Sequence, residues 1–133
     1  MAKFFVKTHQ WFDDGTKEVG ITPYAAEQLG EISFVDLEGI SGATLEQVQI
    51  SGDEPASDPI DATIESSKAV GDIYSPVSGT VTEINESLMD EPEKINEDAF
   101  AAWLFKIDPS NWDAEKGNLM DEAAYNDYVK SLG

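Results

Sequence analysis

The chain has 133 residues, 27 of them acidic against 8 basic, for a formal net charge of −19, and 41% are hydrophobic. That length suits one domain with a modest core, and that apolar share excludes a disordered chain. The negative field argues against nucleic acid and membrane surfaces as partners, no apolar run reaches the roughly 18 residues of a membrane span, and the lack of cysteine excludes disulfides and thiolate chemistry.

The segment Met1 to Lys7 is too short and too soon interrupted by lysine to read as a signal peptide, so a cytoplasmic location is expected. Residues 3–12 mix Phe4, Phe5, Val6, Trp11 and Phe12 with polar residues and read as short strands around a turn. Asp13-Asp14-Gly15 marks a turn, and Glu18 to Ile21 a further strand. Thr22 then suits a helix N-cap with Pro23 at the first helical position, and Gly30 suits its end. Ile32 to Leu37 reads as a strand, which places Phe34 with Trp11, Trp103 and Phe105 in the core.

Residues 51–61 are acidic and rich in turn formers, so they read as an exposed loop. Asp53, Glu54, Asp58 and Asp61 lack the spacing of an EF-hand calcium loop, and no metal site is expected there. Ala62-Thr63-Ile64 and Ile73-Tyr74 pair as a hairpin with a polar tip from Glu65 to Asp72. Thr80 to Ile84 is a strand, residues 86–98 read as acidic loop, and Trp103, Phe105 and Ile107 alternate as one face of a half-buried strand. Residues 120–132 form a C-terminal helix, with Asp121 as N-cap and Tyr125, Tyr128, Val129 and Leu132 in one stripe. The pattern is mainly β, a small sandwich or barrel-like sheet pair carrying a short helix in the N-terminal half and a longer one at the C-terminus.

Catalytic signatures are sparse. His9 is the one histidine, and there is no glycine-rich phosphate loop. The informative segment is Glu65-Ser66-Ser67-Lys68-Ala69-Val70-Gly71-Asp72, with one lysine at the centre of the hairpin tip and small residues beside it. Spacing alone leaves two readings open, an ordinary exposed turn lysine or a lysine that an enzyme modifies.

The motif Glu65-Ser66-Ser67-Lys68-Ala69, followed by Asp72-Ile73-Tyr74-Ser75-Pro76-Val77-Ser78-Gly79, resembles the lipoyl-lysine hairpin of the glycine cleavage system H protein family. Thr8-His9-Gln10-Trp11, Val19 to Ala25, Glu27 to Gly30, Phe34 to Leu37, Glu83 to Glu86, Ile95 to Asp98 and Trp103 to Ile107 follow the family pattern in the same order. The resemblance implies a hybrid β-sandwich (barrel-sandwich, lipoyl-domain-like) spanning 1–133 as a single carrier domain. It implies no catalytic activity, with lipoate amide-linked to Lys68 as a swinging arm. Glu65, Ser67, Ala69 and Asp72 would be the context read by the lipoate-attaching enzyme, and Thr8, His9 and Gln10 would line the cleft where the loaded arm rests. Biotin carriers flank their lysine with methionines, unlike Ser67 and Ala69 here.

Three departures stand out. Gln10 occupies a position usually held by Glu, Phe100-Ala101-Ala102-Trp103 replaces a Gly-Glu-Gly-Trp run, and Ser51–Asp61 looks like an insertion. They favour a lipoate-binding sulfur carrier working with a heterodisulfide-reductase-like complex. The alternative is the glycine cleavage carrier, which moves an aminomethyl group between the decarboxylase, the aminomethyltransferase and dihydrolipoyl dehydrogenase. A third class, an acidic binding protein without lipoate, treats Lys68 as incidental.

Overall fold

A computed structural model describes residues 2–132. Strand β1 (Lys3–Phe5) pairs antiparallel with β2 (Gln10–Asp13), and β2 pairs with β3 (Glu18–Ile21). Helix α1 (Pro23–Leu29) follows as the capping residues require: the Thr22 hydroxyl accepts from the Ala25 N–H at 3.2 Å, and Gly30 ends the helix at φ 88°. Seven residues are too few for a helix to persist on propensity, so packing of Ala26 into the core holds it.

After α1 come β4 (Ile32–Asp36), the two-residue strands β5 (Thr44–Leu45), β6 (Ile50–Ser51) and β7 (Glu54–Pro55), and then β8 (Thr63–Ser66) and β9 (Val70–Asp72). Strand β10 (Gly79–Ile84) is followed by two short helices, α2 (Glu86–Asp90) and α3 (Lys94–Glu97), then β11 (Phe105–Pro109), α4 (Trp112–Glu115) and α5 (Glu122–Leu132). The strands form a six-stranded sheet in the order β1-β2-β3-β11-β10-β5, a three-stranded sheet β4-β8-β9, and the small hairpin β6-β7. Phe12, Val19, Ile21, Val81, Phe105 and Ile107 of the large sheet share one core with Val35 and Ile64 of the smaller one. Phe5, Trp11 and Tyr125 form a second cluster beneath α5. No helix among the described residues is long and apolar enough to cross a membrane.

The expected mainly-β sheet pair with an early helix and a C-terminal one is what the chain adopts. Several local expectations change. Phe34 is 48% exposed rather than core, because the register shifts between Ile32 and Phe34 and Val35 takes the inward position. The polar tip is shorter than expected: the ladder runs on through Glu65↔Val70, leaving Ser67 and Lys68 as the turn. Residues 86–98 hold two short helices rather than a continuous loop, since burying Leu88 and Ile95 gives each an anchor. The acidic 51–61 stretch contains β7 and part of the β6-β7 hairpin. Trp103 lies just before β11, half-buried, with the Lys106 ammonium 5.2 Å from its ring centroid. Helix α5 keeps its expected cap, with Asp121 Oδ1 accepting from the Ala124 N–H at 2.8 Å, but of its stripe only Tyr125 is fully buried.

Candidate functional site

The β8-β9 hairpin sets Lys68 at its tip through one hydroxyl. Ser66 donates from Oγ to the Leu29 carbonyl at 2.6 Å, and the same oxygen accepts from the Ala69 N–H at 3.1 Å and the Lys68 N–H at 3.3 Å. The Ser66 N–H donates to the Ala69 carbonyl at 2.8 Å and closes the turn. The tip is thereby fastened to the end of α1. Asn96 of α3 fastens the other side, donating to the Gly30 carbonyl at 2.8 Å and accepting from the Ile32 N–H at 2.7 Å.

The lysine stem lies against that clamped turn. A Cβ placed on Gly30 would sit 2.7 Å from Lys68 Cε, so the absent side chain leaves room for the stem. Gly30 also adopts a φ that other residues take only with strain. Lys68 is exposed and makes no ion pair among the described residues, whereas Lys3, Lys7, Lys94, Lys106 and Lys116 each pair with a carboxylate. An exposed amine with no ionic partner on a rigid two-residue turn can be acylated without dismantling any contact.

Beside the hairpin lies a cleft of about 180 Å³. Its walls are Ile21, Leu29, Ile64 and Ile73, and Thr8, His9, Gln10, Tyr24 and Asp72 supply its polar and aromatic groups. It forms where β9 comes close to α1, an approach that Gly71 permits: a Cβ there would lie 3.2 Å from the Leu29 methyls. Thr8, His9 and Gln10 line one cleft together, and Asp72, grouped with the hairpin tip in the sequence, lies beside them, while Glu65, Ser67, Ala69 and Lys68 do not. Glu65 is on the opposite face of the sheet from Ile64, and Ser67, Lys68 and Ala69 belong to the tip.

His9 is held from several sides. Its backbone has φ 75°, a left-handed conformation unusual for a side-chain-bearing residue. Its N–H donates to the Val6 carbonyl at 2.9 Å, and its carbonyl accepts from the Thr22 N–H at 3.0 Å. The ring lies among Tyr24, Tyr125 and Tyr128, with centroids 4.7, 5.8 and 6.0 Å away. Nδ1 is 2.7 Å from the Tyr125 hydroxyl, which is 2.7 Å from the Thr22 hydroxyl. One arrangement satisfies every atom: Thr22 donates to Tyr125, and Tyr125 donates to a neutral His9. Burial supports it, lowering the His9 pKa and raising that of Tyr125 to about 12. This chain of hydroxyls occupies Nδ1 and ties α5 to the cap of α1. His9 is thus a positioned wall residue, not a poised base.

Gln10 is buried, and its Oε1 accepts from the Thr8 hydroxyl. A carboxylate in this place would have to be desolvated, whereas the neutral amide offers hydrogen bonds at lower cost. Asp72, exposed at the strand edge, leaves one carboxylate at the cleft mouth.

Sequence reasoning did not assign Ser66, Gly30, Asn96 and Tyr125 to the site, although it read Gly30 as the end of α1 and placed Tyr125 on the α5 stripe. Ser66 carried a local signal for the site, a hydroxyl two residues before the tip lysine. The other three act across the fold, Asn96 from 66 residues away and Tyr125 from 116. Among the described residues no group of three His, Cys, Asp or Glu side chains is placed to hold a metal ion. The tip amine and the neighbouring apolar cleft suit a covalently attached arm that is mostly hydrocarbon.

Comparison with known proteins agrees with that geometry. The model of the family described as "Glycine cleavage H-protein" matches residues 3–132. A probable glycine cleavage system H protein of Pyrococcus furiosus is 44% identical over 132 residues, covering 97% of this chain and 90% of that one. The glycine cleavage system H protein of Nitrosospira multiformis is 42% identical over 130 residues, covering 96% and 92%. The crystal structure of a glycine cleavage system H protein from Mycobacterium marinum superposes with a TM-score of 0.78 at 26% identity, covering 97% of each chain. The barrel-sandwich architecture expected from the hairpin motif is thereby shown. Proteins of this family are non-catalytic carriers that hold lipoate covalently on a lysine. The chain belongs to the glycine cleavage H-protein family.

Proposed function

We propose that this chain is the lipoyl carrier of a glycine cleavage system, with residues 1–133 as one carrier domain and Lys68 as the attachment lysine. The observation that carries the reading is the unpaired Lys68 amine on the Ser66-fastened turn, in a chain matched by the family from residue 3 to 132. The partners are then a lipoate-attaching enzyme, the glycine decarboxylase, the aminomethyltransferase and dihydrolipoyl dehydrogenase. When attached, lipoate supplies the redox-active dithiol that a chain without cysteine lacks.

The protein's own residues do the rest. Ser66 fixes where the arm begins, and Gly30 leaves space for its stem. Leu29, Ile64 and Ile73 give the cleft apolar walls that suit hydrocarbon, with Tyr24 and His9 closing one side. Asp72 at the mouth offers a carboxylate to a cationic amine. Glu65, Ser67 and Ala69 present the tip to the attaching enzyme.

The relatives are named for glycine cleavage, which favours that cargo over sulfur. On the other side stand the three departures in sequence, of which Gln10 has a physical reading here: a buried amide gives a cationic amine no ion pair. Intact mass and peptide mapping of protein from its own host test both. A lipoyl adduct on Lys68, with glycine-dependent NADH formation when partner enzymes are added, is expected. A bare Lys68 overturns the carrier reading, and a loaded arm that bears extra sulfur and gives no response to glycine overturns the cargo.

A further inference from the structure

We propose that the outer face of the β4-β8-β9 sheet, centred on the row Phe34–Glu65–Val70, is the seat of the enzyme that acylates Lys68. This rests on the reading of Lys68 as the attachment site. Phe34 pairs with Glu65, and Glu65 with Val70, so the three side chains stand in one cross-strand row. Phe34 is 48% and Val70 65% exposed, two of the most exposed large apolar side chains among the described residues. The solvent face of an antiparallel sheet is ordinarily polar, so a Phe and a Val flanking one carboxylate beside the tip form an apolar patch that the described residues leave uncovered. The next row along the same face, Asp36, Thr63 and Asp72, borders the patch with two exposed carboxylates. An apolar centre with an acidic border fits a partner whose contact surface is apolar and edged with Lys or Arg.

Reach selects the partner. In loading, the Lys68 Nζ lone pair forms a C–N bond to the acyl carbon of an activated lipoyl donor, the bond from that carbon to the activating group breaks with the activating group taking its electron pair, and the amine gives its proton to solvent. That carbon has to come to bonding distance of Nζ, so the attaching enzyme must close over the tip and what surrounds it. Enzymes that act on the far end of a loaded arm have no such need.

The fold separates the two tasks. Ile64 and Gly71 face inward toward the cleft, while Glu65 and Val70 face outward. The inner face thus serves the loaded arm and the outer face the enzyme that loads it, with Asp72 at the strand edge belonging to the border of both.

The test uses the unloaded full-length chain, a purified lipoate-attaching enzyme, lipoate and ATP, with loading followed by intact mass. The double variant Phe34→Thr/Val70→Thr keeps β-branched residues on the strands and should remain folded by circular dichroism. Its loading kcat/KM should fall about ten-fold, mainly through KM, as expected for truncating two anchors of an interface. Once loaded to completion, it should turn over with the glycine cleavage enzymes like wild type. If wild type loads at Lys68 and the double variant loads equally fast, the patch is overturned and the attachment site stands. Equal losses in loading and in later turnover also overturn it, assigning the face to the other partners. If wild-type Lys68 stays bare, the attachment reading fails and the patch fails with it.

Discussion

Two short hairpins project from this protein, and they are held in different ways. The β8-β9 hairpin is clamped by Ser66 to the Leu29 carbonyl, against a turn that Asn96 grips from the far side. The β6-β7 hairpin is held at its tip by Lys7, which donates to the Gly52 carbonyl at 3.1 Å and pairs with Asp53 at 3.0 Å while lying over the Tyr128 ring. The first set of contacts is neutral and short, and the Ser66–Leu29 and Ile32–Asn96 bonds are partly buried. The second is an exposed ion pair, weak in water and weaker in salt. The tip that carries the proposed attachment lysine is held by hydrogen bonds to backbone, and the acidic projection by an ionic tether.

Four changes break or sharpen this contrast, in falling order of effect. Lys68→Arg should abolish loading entirely by intact mass. Its melting temperature should stay near wild type, because an exposed turn residue makes little packing. Ser66→Ala removes three hydrogen bonds of one hydroxyl and should cost about 1–2 kcal/mol in denaturant unfolding, with slower loading as the tip loses its fixed direction. If Ser66→Ala matched wild type in both, the clamp would be no stronger than the Lys7 tether.

A third change tests the hydroxyl chain between α5 and α1. His9 has a lowered folded pKa, so below pH of about 6.5 the unfolded chain takes up a proton that the folded chain refuses. Stability is then complete above that pH and declines as pH falls. Tyr125 has the opposite sense: the unfolded chain releases its proton above pH of about 10, whereas the folded side chain holds it to about 12, so stability falls across that interval. Tyr125→Phe should remove the alkaline decline contributed by this residue and lower stability at neutral pH by about 1 kcal/mol, read from melting curves across pH. Smallest of all, Lys7→Ala should change unfolding free energy by less than about 0.5 kcal/mol, and by still less at high salt.

The sequence was most legible where structure is dictated locally. Thr22-Pro23 and Gly30 bounded α1 to the residue, because a cap needs only its own turn. Glu18 to Ile21 read correctly as a strand, and the hairpin motif pointed to Lys68 because a turn and its flanking strands are close in sequence. Residues 86–98 misread because their helices are too short to show a period, and only the core contacts of Leu88 and Ile95 make them helical. Phe34 misread because a one-residue register shift reverses which face a side chain takes, and pairing with β8 creates that shift.

The sequence by itself determined the class of molecule: a cysteine-free acidic chain with a lysine at a hairpin tip and a family pattern along most of its length. Tertiary structure decided what surrounds that lysine. It brought Asn96 to Gly30 and Tyr125 to His9, and set Thr8 and Gln10 around one cleft with Asp72, joining residues dozens of positions apart. It also divided the hairpin into a face toward the cleft and a face toward solvent. Spacing reports which side chains share a strand or a turn, but which strand lies beside another is set by burial of the whole core, and the cleft exists only once that core has formed.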